Sequence, residues 1–481
     1  MKAVVERALD TARSRGATYA DVRVVRRESQ VITVKNGRLE NARTVESVGL
    51  GVRVLADGAW GFASSRKVTT READVMAALA VRIARASAAA RTRPIALGPP
   101  IVVRGDYTTP VAQDPFAVPL ERKVDLLVRA TEAMRRTREI TVAEASCESF
   151  RETKTFASSE GSYIEQTLTE TGCGMEATAV GHGEVQRRSY PASLGRHQAC
   201  EGWEFVERQD LLRHAPRIAE EAAALLTAPE CPPQVTTVIL DATQTALQVH
   251  ESCGHAVELD RALDMEAAFA GTSFLTPDRL GQFRYGSDAV TIVGDATWPG
   301  GLGSFGYDDE GVPAQRVALI SKGMFVGYLS SRETATTIGQ KSNGAARADG
   351  WNRIPLVRMT NVSLEPGTWR LDDLIADTDD GVYMATNRSW SIDDRRLNFQ
   401  FGTEIAWEIK KGKRGAMLRN AIYTGITPQF WRGCDAVCDR AHWTVWGIPN
   451  CGKGQPEQAA HVGHGAAPAR FRNVQVGVKR L

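Results

Sequence analysis

Ala228-Pro229-Glu230-Cys231-Pro232-Pro233-Gln234-Val235-Thr236-Thr237-Val238-Ile239-Leu240 divides the 481-residue chain into two parts of different character. Prolines 229, 232 and 233 lie too close together for a helix interior or a central strand. The apolar, β-branched run at 237–240 then reads as a buried strand. A Pro-rich break followed by a new core strand marks a domain boundary near residue 231. Residues 1–231 are therefore expected to form an N-terminal α+β domain, and residues 232–481 a β-rich domain.

Upstream of the break, apolar Val4, Val5, Ala8, Leu9 and Ala12 recur at helical spacing and Gly16 stops them. Alternation at 21–26, β-branched Val31-Ile32-Thr33-Val34, the hairpin dipeptide Asn36-Gly37 and the run 48–55 before Asp57-Gly58 predict an antiparallel meander. Helical periodicity returns at 72–89 and 119–136. Strands are expected at 142–150, 154–158, 162–171 and 174–180, followed by a helix at 216–226 opening on Pro216. Downstream, strands at 290–294, 317–320, 324–329 and 397–409 predict a mainly antiparallel domain, with one helical signal near 372–378. The fold class is α+β.

Composition narrows the function. Lys+Arg 59 against Asp+Glu 57 leaves a net charge of +2, and the longest basic run, Lys410-Lys411-Gly412-Lys413-Arg414, reads as a solvated turn. Neither fits the electrostatic footprint of a nucleic-acid binder. Glu6, Asp10 and three arginines lie inside the first sixteen residues, and no uncharged apolar run approaches the ~20 residues of a membrane span. A cytoplasmic chain without a membrane anchor is expected. Eight cysteines without a regular framework then favour free thiols or metal ligation over disulfides.

The chemistry concentrates at Gln248-Val249-His250-Glu251-Ser252-Cys253-Gly254-His255. Two histidines with a glutamate beside the first suggest a metal and a general base. Zinc-protease histidines are usually four apart, on one helical face. Here they are five apart, leaving them roughly 140° apart on a regular helix, so convergence requires an inserted residue, a π-bulge or a helix end at Gly254. A hydrolytic zinc site also needs a third protein ligand. Cys451 stands out in Pro449-Asn450-Cys451-Gly452-Lys453-Gly454-Gln455-Pro456, read as a glycine-flanked turn in which Lys453 lowers the thiol pKa. His461 and His464 are fallback ligands or substrate-site residues, Cys253 ranks below Cys451, and Cys434 and Cys438 read as core thiols. The acidic turn Asp308-Asp309-Glu310 reads as solvated or Arg-paired, with a supporting role near the site kept open.

These segments resemble the TldD/PmbA (modulator of DNA gyrase) metalloproteases of the TldD type. The carriers are His250-Glu251-Ser252-Cys253-Gly254-His255-Ala256-Val257-Glu258, Asp308-Asp309-Glu310-Gly311-Val312-Pro313, Arg358-Met359-Thr360-Asn361 and Cys451-Gly452-Lys453-Gly454-Gln455-Pro456, in the family's order. The resemblance implies that His250, His255 and Cys451 bind Zn2+, that Glu251 is the catalytic base, and that a zinc-bound water is the nucleophile in peptide hydrolysis. It further implies a homodimer, or a heterodimer with a TldE/PmbA-like chain, acting on unfolded or extended peptides. Two rival readings are a non-catalytic peptide-binding subunit of such a complex and a zinc amidohydrolase acting on a small molecule. Glu251 beside the first histidine argues against the former.

Overall fold

Residues 1–477 are described by a computed structural model of mixed α+β architecture. Two long hairpins build the first sheet. Strands Tyr19–Lys35 and Arg38–Ala56 join through Asn36 and Gly37, both left-handed with φ of 51° and 77°, as the primed two-residue turn demands. Ile140–Ser158 and Tyr163–Gly181 form the second hairpin, and Tyr19–Lys35 pairs antiparallel with Ile140–Ser158 to fuse the two. Ala59–Ser65, Arg104–Thr108, Glu184–Tyr190 and His197–Ala199 complete an eight-stranded sheet.

The separate strands expected at 142–150 and 154–158 are thus one strand, and so are those at 162–171 and 174–180. Gly172 and Gly174 resemble turn signals in the sequence. Their role is close approach: a Cβ on Gly174 would lie 1.8 Å from the Gly195 carbonyl oxygen as the chain crosses the sheet. Pro216 is also displaced from its expected place, because the helix begins at Leu211 and carries the proline inside it. Its buried stripe of Leu211, Ala215, Ile218, Ala219, Ala222 and Leu225 lies on the sheet, and this packing outweighs the lost backbone bond.

The two faces of the sheet have opposite chemistry. Val22, Val24 and Ile32 point toward helices Lys2–Ser14, Thr70–Ala88, Leu120–Met134 and Leu211–Leu225. Alternate positions Asp21, Arg23 and Arg27 point toward the rest of the chain, where Asp21 and Arg23 are completely buried. Arg53 spans Asp21 and Glu310 at 2.6 and 3.1 Å. Lys154 meets Asp309 at 2.8 Å, and Arg23 approaches the same carboxylate at 3.5 Å. The acidic turn 308–310 is therefore Arg- and Lys-paired, and buried rather than solvated.

In the second part of the chain, strands Gln234–Leu240, Asp380–Ile392, Asn398–Lys410, Ile422–Ile426 and Ala469–Val476 close into a barrel. All its pairings are antiparallel except Gln234–Leu240 with Asp380–Ile392. The basic run is the turn into Lys413–Leu418, with Lys411 and Gly412 left-handed. The strand expected at 324–329 shrinks to Met324–Phe325, and the helical signal near 372–378 is Leu371–Ala376. Helices Arg332–Thr336 and Thr427–Arg432 escape the sequence reading because a single turn shows no periodicity. Among the described residues no helix is long and apolar enough to cross a membrane.

Replacing Arg53 by Ala leaves Asp21 and Glu310 buried without their shared cation. Breaking a buried pair in this way costs about 3–5 kcal/mol, so a clear fall in the urea or thermal unfolding midpoint is expected. An unchanged midpoint would show that this contact carries no weight.

Candidate metal centre

The motif helix is positioned by a short chain of local constraints. Strand Gln234–Leu240 ends at Asp241, whose carboxylate accepts the Gln244 N–H at 2.8 Å and caps helix Ala242–Val249. The inner face is polar and hydrogen-bonded, apart from Gln244 Oε1. Gln244 donates to the Tyr423 hydroxyl at 2.8 Å, which donates to Gln248 at 2.9 Å. Gln248 and Trp431 both donate to Ser252, at 3.2 and 2.9 Å. Such a buried network fixes the helix in one rotation.

Residues His250–Gly254 then widen into a π-turn, in which the His255 N–H donates to the His250 carbonyl at 3.1 Å. This i→i+5 bond is the inserted-residue solution that the histidine spacing requires. The rings come to 4.8 Å between centroids, nearly perpendicular at 88°. Gly254 is the last residue of this wide turn, and a Cβ there would stand 2.2 Å from the Met359 sulfur.

Cys451 is not in a turn either. It lies in strand Thr444–Lys453, opposite Ala460, just beyond a register shift that follows Ile448. A bulge re-aims the following side chain, and here it directs Sγ to 3.6 Å from His255 Nε2. His250, His255 and Cys451 each offer a ligand atom, all within 4.8 Å of one another, and all three residues are buried. A tetrahedral zinc with Zn–N of about 2.0–2.1 Å and Zn–S of about 2.3 Å separates N and S by about 3.6 Å. The three groups therefore fit a zinc ion.

The hydrogen-bond network also fixes the tautomers. The Val362 carbonyl can only accept, so His464 Nδ1 carries the hydrogen in their 2.8 Å bond and its Nε2 is bare. His250 Nδ1 must then donate to that bare nitrogen at 2.7 Å, which leaves the His250 Nε2 lone pair free. His255 Nδ1 lies 2.9 Å from a Glu258 carboxylate oxygen, so its Nε2 is free as well. Burial pushes both imidazoles below the ordinary histidine pKa and keeps them neutral, as metal ligation requires. Burial would raise the Cys451 thiol, but His255 and Arg358 bring it below its ordinary value.

Lys453 does not act on the thiol as expected. Its ammonium is bound to Asp260 at 2.6 Å and the Val357 carbonyl at 2.7 Å, and lies 3.4 Å from Glu258. Burial would raise the Glu258 carboxyl, but Lys453, His255 and Arg261 hold it well below the usual carboxylate range. The fallback ligands are elsewhere: His464 supports His250, and His461 pairs with Glu170 of the first sheet at 2.5 Å. Cys253, Cys434 and Cys438 are buried in the apolar core.

Glu251 and the three metal-type residues line one cavity of about 460 Å3. Its walls include residues 446–452 of the cysteine strand, and Trp390, Ser391 and Ile392. Arg396 lies on the same cavity and donates to Glu251 Oε2 at 2.8 Å, while its Nε has no hydrogen-bond partner. Arg396 sits left-handed, with φ of 63°, in a turn closed by the Asp393 carboxylate on the Leu397 and Asn398 N–H groups. Sequence reading missed Arg396 and the supporting roles of Glu258 and His464. Glu258, three residues after His255, and His464, singled out as a candidate site residue, each left a signal; Arg396 is distant in sequence and carries no motif.

Comparison with known proteins follows the same lines. Residues 233–478 match the PmbA/TldA metallopeptidase C-terminal domain, residues 113–228 its central domain and residues 20–90 its domain 1. A metalloprotease of Methanocaldococcus jannaschii is 31% identical over 453 residues, covering 94% of this chain and 95% of that protein. A Haemophilus influenzae protein named metalloprotease TldD homolog is 25% identical over 475 residues, covering 97% and 94%. A zinc metalloprotease TldD homolog of Saccharolobus solfataricus is 26% identical over 195 residues, or 40% of this chain and 41% of that one. The fold is shared with TldE from Thermococcus kodakarensis, with a TM-score of 0.72, 16% identity and coverage of 98% and 99%. With its three domains matched in order and relatives aligned along nearly its whole length, the chain belongs to the PmbA/TldD metallopeptidase family.

Proposed function

We propose that the chain is a cytoplasmic zinc peptidase that hydrolyses unfolded or extended peptides, with His250, His255 and Cys451 as metal ligands and Glu251 as general base. The observation that carries this reading is the convergence of two imidazoles and a thiol within 4.8 Å on the cavity that Glu251 also lines. Three protein ligands with space on the fourth side are the arrangement of a catalytic rather than a structural zinc. Two imidazoles and a thiolate favour zinc over magnesium or calcium. Zinc at this position supplies Lewis acidity and lowers the pKa of water toward ~7.

The remaining work falls to the chain's own side chains. Glu251 takes the proton from the attacking water and passes it to the leaving amine. Arg396 holds the Glu251 carboxylate at 2.8 Å. The 446–452 strand on the cavity wall can receive a peptide by strand addition, through main-chain hydrogen bonds that are indifferent to sequence. Leu247, Trp390, Ile392 and Ile448 supply apolar contacts for its side chains. The association proposed is a homodimer, or a heterodimer with a TldE/PmbA-like chain.

Purified protein is expected to hold one zinc per chain, lost in Cys451→Ala and His250→Ala. Glu251→Gln is expected to keep the metal while hydrolysis falls about 10²–10⁴-fold. Retention of activity in Glu251→Gln would remove Glu251 from the mechanism, and zinc undiminished in both ligand variants would remove the site.

His464→Ala deprives the His250 Nδ1–H of its acceptor. Losing such a partner costs about 10–100-fold in metal affinity, measurable by competition with a chelator; unaltered affinity would leave His464 a packing residue.

An extended peptide is expected to be cleaved much faster than the same sequence held in a helix or a folded domain. Equal rates would count against strand addition.

A further inference from the structure

The wall of the metal cavity carries Arg196, His250, Glu251, His255, Arg396 and Cys451 among its ionisable groups. All but one are committed. His250, His255 and Cys451 form the metal cluster, and Glu251 pairs with Arg396 at 2.8 Å. Arg196 is exposed and has neither an ion pair nor a hydrogen bond among the described residues. Glu148 shares a neighbouring indentation with it and closes no ion pair.

The backbone holds this arginine in place although its head group is free. Gly195 before it is left-handed, with φ of 56°, and a Cβ there would stand 2.7 Å from the Met175 carbonyl oxygen. His197 after it is buried against Phe205 and Trp446, with ring centroids at 4.9 and 4.8 Å, and its Nδ1 accepts the Gly447 N–H at 3.3 Å. Residue 196 is extended, with φ of −134° and ψ of 134°, so its side chain leaves the chain on the side opposite the His197 ring. The bond from Gly447 ties this segment to the strand of Cys451, and the stretch between residues 447 and 451 spans at most about 13 Å.

We propose that Arg196 binds a carboxylate of the peptide substrate, either its C-terminus or an Asp or Glu side chain, within about four residues of the scissile bond. This deepens the proposed function and rests on it. The paired charges of Glu251 and Arg396 cancel, the imidazoles are neutral, and Leu247, Trp390, Ile392 and Ile448 are apolar, so among the wall's side chains Arg196 carries the one uncompensated charge. A guanidinium matches a planar carboxylate through two parallel N–H donors. A single cation also compensates one negative charge, not the two of a phosphate. Main-chain bonds along 446–452 hold an extended peptide without choosing which of its residues lies at the metal. A carboxylate caught by Arg196 makes that choice and so sets the bond that is cut.

The test compares one peptide sequence in three forms: free acid, C-terminal amide, and amide with a single Glu placed two to four residues from the cleaved bond. Wild type is expected to show a KM about tenfold lower for a form bearing a carboxylate than for the plain amide, with kcat little changed. Arg196→Met keeps the apolar stem and is expected to bring the forms to within about twofold of one another, while Arg196→Lys retains part of the preference. Preference for the free acid alone identifies the C-terminus as the group bound, and preference extending to the Glu amide identifies a side-chain carboxylate. Equal KM values for all three forms in wild type, or a preference that survives in Arg196→Met, would overturn the assignment. The same peptides titrated calorimetrically into the Glu251→Gln chain, with and without Arg196→Met, separate this inference from the reading beneath it. An Arg196-dependent preference in binding, with no hydrolysis by wild type, would keep the arginine and remove the peptidase. No preference in binding would remove the arginine whatever the hydrolysis shows.

Discussion

The spacing of His250 and His255 is the constraint around which the rest of the structure is arranged. Five residues cannot be brought to one face by an ordinary helix, so the chain widens one turn through the bond from the His255 N–H to the His250 carbonyl. A π-turn has poorer packing and must be held by its surroundings. Asp241 fixes where the preceding helix begins, the Gln244–Tyr423–Gln248–Ser252–Trp431 network fixes its rotation, and Met359 fills the space that a side chain at residue 254 would need. These contacts come from the barrel strand Ile422–Ile426, the helix Thr427–Arg432 and the segment around Met359. The barrel is thus the frame that makes the wide turn affordable.

The first sheet reaches the site through its charged face. Arg27 pairs with Asp349, which accepts the N–H of Ala459 at 3.0 Å in the strand next to the cysteine. Glu170 binds His461 in that same strand, and Arg358 donates to the Cys451 carbonyl. The strand carrying Cys451 is therefore held from behind by groups that are themselves anchored to residues 27 and 170. A buried charged interface costs desolvation that an apolar one would not. It gives directional bonds in return, and these fix the position of the cysteine strand relative to the two histidines.

Much of this was legible in the sequence where the signal was local. Asn36-Gly37 specified its hairpin because two left-handed residues in succession admit few alternatives, and the spacing in His-Glu-x-x-x-His showed by arithmetic alone that a regular helix must widen or end there. What misled was local chemistry with a distant cause. Gly172 and Gly174 look like turn residues, yet they are required by a backbone crossing more than twenty residues later in sequence. Asp21 and Arg23 look like the solvated side of a half-buried strand, yet Asp21 pairs with Arg53 and Arg23 finds its partners at Asp309 and Arg353. Cys451 seemed to lie in a turn because Gly452 and Gly454 flank it; the turn begins at Gly454, and the cysteine is aimed by a bulge that leaves no signature in composition.

Arg396 shows the same limit at the reactive end of the site. On the proposed reading Glu251 is a general base beside a dication, which would draw it toward the metal, where as a fourth ligand it would cease to accept protons from water. The guanidinium of Arg396, 2.8 Å from Glu251 Oε2, opposes that pull from the cavity side. A left-handed backbone at residue 396 is unusual for arginine, and it is retained because the Asp393 carboxylate closes the turn onto two successive N–H groups. The strain therefore has a chemical counterpart. It places a fixed cation against the Glu251 carboxylate on the wall of the cavity.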